Sequence, residues 1–249
     1  MLPATIVAHR GLPALYPENT LIGIQRALDV GARAVEFDIQ LTRDGVPVLF
    51  HDASLKRACD LQRNITDTTW SELRDVFAYF PEKFGDTYRN ICIPALNEVM
   101  ELLKDYDNVI PCIEIKTESI ECFGVEKCVD SVIKAVDTLI SSSILLSFEE
   151  RAVSYLHGLG ITNTGWVLTH YDSATRKRAD ALKPEVLICA INKTESEEHG
   201  LWSGPWKWML YHSEEPGVIR DCISKGAQYV ETDNVKVVKE LMPELFDEK

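Results

Sequence analysis

Residues 34–41, AVEFDIQL, alternate strictly, so that Ala34, Glu36, Asp38 and Gln40 fall on one face of a strand and Val35, Phe37, Ile39 and Leu41 on the other. One face is apolar and the other carries two carboxylates. Asp44-Gly45 then gives a two-residue hairpin signal between apolar-rich runs. A tight turn there pairs Arg43 with Val46, Leu41 with Val48, Ile39 with Phe50 and Asp38 with His51, which returns an imidazole beside the acids. This register depends on the turn, because one extra residue would send His51 to the opposite face.

Elsewhere strand and helix patterns alternate almost to the end of the chain. Residues 5–9 read as a short strand breaking at Gly11, and Asn19 as the cap of a helix carrying Leu21, Ile24, Ala27 and Leu28 and stopping at Gly31. From about 53 to 93 there is no clean period. Trp70, Phe77, Tyr79 and Phe80 are scattered through a polar segment that reads as an excursion. Pro94 opens a helix with Leu96, Val99, Met100 and Leu103. Residues 109–116 form a strand with Glu114 and Lys116 on one face and Ile113 and Ile115 on the other. Helical spacing at 125–140, 149–159, 173–182, 216–225 and 235–241 separates strands at 144–148, 164–168, 186–191, 207–211 and 228–231. Eight main strands, nearly all separated by helices, predict a closed (β/α)8 TIM barrel over residues 1–249 with a small irregular insertion after the second strand. His9, the Glu36/Asp38 pair and the Glu114/Lys116 pair then lie toward the C-terminal ends of their strands, where such barrels place their sites.

Composition narrows the partners. A net charge of −13 and no basic run disfavour nucleic acid and anionic membrane surfaces. The first ten residues, MLPATIVAHR, carry neither a charged leader nor an apolar run long enough for a span, so the expectation is a cytoplasmic protein without stable membrane insertion. Seven cysteines with no Cys-x-x-Cys pair argue against a disulfide framework or a zinc site. Nothing in the sequence addresses oligomeric state.

The strand-end residues carry the chemistry. Glu36, Asp38 and Glu114 make an oxygen-only set that suits Mg²⁺ or Ca²⁺ better than zinc, and without a cation three converging carboxylates would repel one another. Arg10 and Lys116 place positive charge near the same mouth, which points to an anionic ligand such as phosphate. His9 and His51 are the candidate acid and base. His157, His170, His199 and His212 are read as satisfied core side chains.

In order along the chain, His9-Arg10-Gly11, Glu18-Asn19-Thr20, Glu36-x-Asp38, His51-Asp52, Ile93-Pro94, Glu114-Ile115-Lys116, Ser147-Phe148 and Thr232-Asp233 resemble the signature series of glycerophosphodiester phosphodiesterases. The resemblance implies a (β/α)8 barrel with an insertion after the second strand and a divalent metal on Glu36, Asp38 and Glu114. It also implies acid/base catalysis by His9 and His51, phosphate binding by Arg10 and Lys116, and support of the first loop by Glu18. The implied reaction hydrolyses a small glycerophosphodiester to sn-glycerol 3-phosphate and an alcohol. Two departures lie near the expected substrate mouth. Trp208-Met209-Leu210-Tyr211 stands where the family often has Trp-Thr-Val-Asn, and Asn234-Val235 where an aromatic and proline usually follow the Thr-Asp. Trp208 is carried as a substrate-binding candidate, and Trp202, Trp206 and Trp208 either form an apolar rim or pack the loop before their strand. An exposed rim would favour a lysophospholipase D acting on acylated substrates. A catalytically silent phosphodiester-binding barrel is the third reading, against which both histidines and all three acids are retained.

Overall fold

The computed structural model describes residues 4–194 and 200–246. Eight parallel strands close into a barrel: β1 (Thr5–His9), β2 (Ala34–Leu41), β4 (Ile110–Ile115), β5 (Ile144–Ser147), β6 (Thr164–Val167), β7 (Val186–Ala190), β8 (Lys207–Tyr211) and β9 (Tyr229–Thr232). β1 pairs with both β2 and β9 and completes the circle. The ninth strand, β3 (Pro47–Leu49), runs antiparallel along the upper part of β2.

Strand alternation divides the apolar residues into two layers. Val7, Ala34, Leu146, Val186, Ile188 and Met209 fill the barrel interior. Residues of opposite parity, among them Val35, Phe37, Leu145, Leu187 and Leu210, face the helices. The helices follow in chain order: α1 (Leu21–Val30), α2 (Lys56–Cys59), α3 (Trp70–Leu73), α4 (Pro81–Phe84), α5 (Leu96–Leu103), α6 (Thr117–Phe123), α7 (Val125–Val136), α8 (Glu150–Gly158), α9 (Ser173–Leu182), α10 (Ile191–Thr194), α11 (Pro216–Ser224) and α12 (Val235–Leu241). α5 buries Leu96, Val99, Met100 and Leu103 on one stripe, each such side chain contributing about 1.5–3 kcal/mol of burial. Thr20 rather than Asn19 caps α1, its hydroxyl accepting from the Gly23 amide at 3.2 Å. Asn19 has other work in the site. α6 is a helix that the sequence pattern did not disclose, and α7 ends at Val136, giving way to a 3-10 turn at 137–139. Among the described residues no helix is long and apolar enough to cross a membrane.

The hairpin register differs from expectation by one residue. Ile39 pairs with Leu49, Gln40 with Val48 and Leu41 with Pro47, and the Phe50 amide donates to the Asp38 carbonyl at 3.0 Å. Thr42 and Val46 close a three-residue loop in which Gly45 takes φ +84. This is the longer hairpin with a left-handed glycine, not the two-residue turn. The new register turns Val48 and Phe50 to the face that bears Asp38 and Gln40. There the 53–93 segment covers them with a small core of its own that includes Leu55, Ala58, Ile65, Leu73 and Phe80.

Candidate active site

His9 reaches the mouth of the barrel from the end of β1, Glu36 and Asp38 from β2, and Glu114 from β4, with Lys116 just beyond it. The parallel register sets His9 beside Glu36 and Asp38 beside Glu114, so strand alternation alone turns all four side chains inward. His51 arrives differently. With Asp38 level with Phe50, strict alternation would carry His51 outward, but β3 has ended at Leu49 and the chain bends after Phe50. Gln40 donates to the His51 carbonyl at 3.4 Å, and His51 Nδ1 meets Asp52 Oδ1 at 2.7 Å. The register expectation fails while the placement it was used to infer holds: His51 lines the same cleft as His9, Arg10, Glu36, Glu114 and Lys116.

That cleft encloses about 190 Å³, small beside sites for drug-sized ligands and suited to a compact polar one. Leu146, Phe148, Val167 and Ile188 give it an apolar wall, and Tyr211 and Glu231 complete it. Two wider grooves of about 610 and 700 Å³ lie on the outer surface and contain none of the strand-end residues.

The acids do not behave alike. Burial opposes ionisation of Asp38, but Arg10 and Lys116 outweigh it and hold that carboxyl well below the usual range. Arg10 Nε lies 3.0 Å from Asp38 Oδ2, Lys116 Nζ lies 3.3 Å from Oδ1, and Asn19 donates to Oδ2 at 2.8 Å while accepting from the Asp38 amide. Burial and the neighbouring Asp38 charge push Glu36 well above its ordinary value. Glu114 is raised by the same two causes, with Lys116 Nζ at 2.8 Å opposing them. Glu231, a buried acid that the sequence reading passed over, is pushed up to about 8 by burial and by Glu114.

One carboxylate oxygen each from Glu36, Asp38 and Glu114 lies within 4.8 Å of the others. Oxygen-only donors, buried together and resisting joint ionisation, fit a hard divalent cation that would remove their repulsion. His9, His212 and Asp233 form a second group with the same spread. There the two imidazoles stack, with centroids 5.2 Å apart and planes 18° apart. His9 Nδ1 bonds Asp233 Oδ1 at 2.6 Å. Burial lowers the His9 pKa and the Asp233 bond opposes that shift.

The remaining candidates divide. Glu18 Oε1 accepts from Arg10 Nη1 at 3.1 Å. Arg10 and Asn19 both take left-handed backbone, φ 52 and φ 56, which costs on the order of 1–3 kcal/mol for such a residue and is held here by the bonds of the site. Gly11 must be glycine, since a Cβ would sit 2.6 Å from the Gly23 backbone. Trp208 is not in the cleft. It has the parity of Leu210, is buried against the helix layer, and donates from its indole to the Trp202 carbonyl at 3.0 Å. Trp206 is buried as well, so the tryptophans pack the loop before β8 and build no exposed rim. Tyr211, with inward parity, lines the cleft, its phenol pushed up to about 12 by burial. His212 and His170 are exposed, not core residues, His157 bonds Thr164 at 2.8 Å, and His199 lies outside the described residues.

The chain is similar to known proteins in both sequence and fold. The family model for the glycerophosphoryl diester phosphodiesterase family matches residues 9–197. A glycerophosphodiester phosphodiesterase of Caldanaerobacter subterraneus subsp. tengcongensis is 35% identical over 148 residues, 59% of this chain and 56% of that protein. One from Bacillus altitudinis is 34% identical over 157 residues, 62% of each. The matched region thus spans less than two thirds of either relative. In three dimensions the chain is similar to an Oleispira antarctica phosphodiesterase solved in complex with the product sn-glycerol-3-phosphate, with TM-score 0.82, 22% identity and 97% of both chains covered. It is also similar to a Thermotoga maritima glycerophosphodiester phosphodiesterase, with TM-score 0.73, 25% identity and 96% and 98% covered.

Proposed function

The chain belongs to the glycerophosphoryl diester phosphodiesterase family, and we propose that it hydrolyses a small glycerophosphodiester to sn-glycerol 3-phosphate and an alcohol. The observation that carries the reading is the convergence of His9, His51, Arg10, Lys116 and three carboxylates on one cleft at the C-terminal mouth of the barrel. Mg²⁺ or Ca²⁺ is the cofactor that Glu36, Asp38 and Glu114 would hold, and when bound it supplies charge neutralisation at a phosphate oxygen and acidifies a coordinated hydroxyl.

The chain's own groups do the rest. Arg10 and Lys116 face the cleft as fixed cations, both held protonated by neighbouring carboxylates against the cost of burial. They orient the phosphate and lower the cost of gathering charge as a P–O bond breaks. Asp52 and Asp233 are held ionised by their histidines despite burial, with Arg57 adding to the effect at Asp52, so each accepts a hydrogen bond from the Nδ1–H of its histidine. Nε2 of each ring is thereby left for the cleft, one to take the nucleophile's proton and the other to give a proton to the leaving alkoxide. The apolar wall of Leu146, Phe148, Val167 and Ile188 keeps bulk water from the opposite side.

Purified protein should be offered glycerophosphocholine, glycerophosphoethanolamine and lysophosphatidylcholine, with products identified by phosphorus NMR. Release of sn-glycerol 3-phosphate from the first two is the expected result. Turnover of lysophosphatidylcholine alone would move the reading to a lysophospholipase D, and binding without turnover of any substrate would move it to the silent barrel.

A further inference from the structure

Arg57 sits in α2, inside the stretch that shows no periodicity, and its guanidinium grips two carboxylates at once. Nε and Nη2 reach Asp52 at 2.6 and 2.9 Å, while Nη1 and Nη2 reach Glu18 at 3.1 and 2.8 Å. Each carboxylate has a second partner in the cleft. Asp52 Oδ1 takes His51 Nδ1 at 2.7 Å, and Glu18 Oε1 takes Arg10 Nη1 at 3.1 Å. The Phe80 ring lies 5.1 Å below the guanidinium and fixes its plane.

We propose that Arg57 is a positioning residue for the reaction, locking the proton-transferring imidazole of His51 and the phosphate-facing guanidinium of Arg10 into one orientation through the two carboxylates it bridges. This rests on the hydrolytic reading above. The planar fork is what the arrangement needs, since adjacent edges of a guanidinium can hold two carboxylates together, whereas an ammonium is a point donor that cannot reproduce both bidentate contacts. Stability is not the main consequence. The Arg57 side chain is 43% exposed, and ion pairs so open to solvent add little to folding. Orientation is the consequence. Without Arg57, Asp52 and Glu18 each lose two donors and are free to rotate, and the imidazole that leans on Asp52 rotates with it. The 53–93 excursion thereby contributes to the site it borders, although no side chain of α2 reaches the cleft itself.

The test compares full-length wild type, R57A, R57K, H51A and the R57A/H51A double variant, each checked for an unchanged melting profile. R57A should lower kcat on glycerophosphocholine by roughly ten- to a hundredfold, with a smaller rise in KM because Arg10 keeps its contact with Asp38 at 3.0 Å. R57K should lose nearly as much, and in the H51A background the R57A substitution should cost clearly less, because the route through His51 is already gone. Long-range proton–nitrogen spectra of the imidazoles give a readout that needs no turnover: His51 protonated at Nδ1 in wild type, and a mixture of tautomers in R57A. Wild-type kcat in R57A, full activity in R57K, or an equal fold loss with and without His51 would overturn the proposal. Should wild type turn over no glycerophosphodiester, the hydrolytic reading fails, and the spectra alone decide: an unaltered His51 tautomer in R57A overturns the positioning role. If R57A does not fold, R57K carries the same comparisons.

Discussion

Glu231 lines the cleft near the C-terminal end of β9 outside the candidate metal set, and replacing it with glutamine should stabilise the metal-free protein more at high pH than at low. Among the described residues no hydrogen bond or ion pair reaches its carboxyl, which is only 4% exposed and is pushed up to about 8 by burial and Glu114. In the unfolded chain it titrates near the ordinary value of 4.5. Between those two values the folded state holds a proton that the unfolded state has released, so wild-type stability falls as pH rises. Below about 4.5 this penalty vanishes. Taken alone, the shift is worth at most roughly 3–4 kcal/mol between pH 5 and pH 8. In a chain of this size that is a melting difference on the order of 10 °C. Glu231→Gln keeps the shape and removes the titration, so its melting curve in EDTA should match wild type near pH 5 and lie well above it at pH 8. Parallel pH dependences for the two proteins would refute the argument and mean that Glu231 is neither as buried nor as close to the other acids as the structure has it.

Four other outcomes follow from the same geometry. His51→Ala should reduce kcat by about 10²- to 10⁴-fold with affinity much less affected, because Arg10 and Lys116 remain; whichever histidine is the acid should show a smaller defect on a p-nitrophenyl ester, and equal defects for His9→Ala and His51→Ala on both substrates would remove the division of roles. Glu114→Ala should weaken metal binding in calorimetric titration and recover part of its activity in excess Mg²⁺ or Ca²⁺, which His51→Ala cannot do. Asn19→Ala strips two hydrogen bonds from Asp38 and should destabilise by roughly 1–3 kcal/mol, readable by urea denaturation. Trp208→Phe should lower the melting temperature through lost packing while leaving the preference between choline and ethanolamine esters unchanged, and an altered preference would return this residue to the substrate mouth.

What the sequence discloses follows from which forces are local. Alternation of apolar and charged residues at 34–41 and 109–116 announces strand, face and site together, because one side of each strand must meet the helices. The hairpin register escapes because Asp44-Gly45 suits both a two-residue turn and the longer loop that forms, and Asp44 Oδ1 accepts from the Trp70 amide at 2.9 Å within that loop. Trp208 misleads because motif resemblance identifies a position but not its parity, and Tyr211 is the member of that run that enters the cleft. Glu231 hides in YVET, a four-residue strand too short to show alternation. Arg57 hides in a segment ordered by side-chain contacts rather than by period. His212, set aside as a core residue, is exposed and stacked on His9, a contact between the ends of β1 and β8 that neither local sequence contains.

The most direct test of the central claim is sn-glycerol 3-phosphate release from glycerophosphocholine, followed in one series for wild type, wild type with EDTA, EDTA-treated enzyme resupplied with Mg²⁺ or Ca²⁺, and His51→Ala with metal. Turnover in the first and third samples, and its loss in the second and fourth, is the predicted result. Undiminished turnover in EDTA after the enzyme has been stripped of metal, or wild-type rates from His51→Ala, would contradict it.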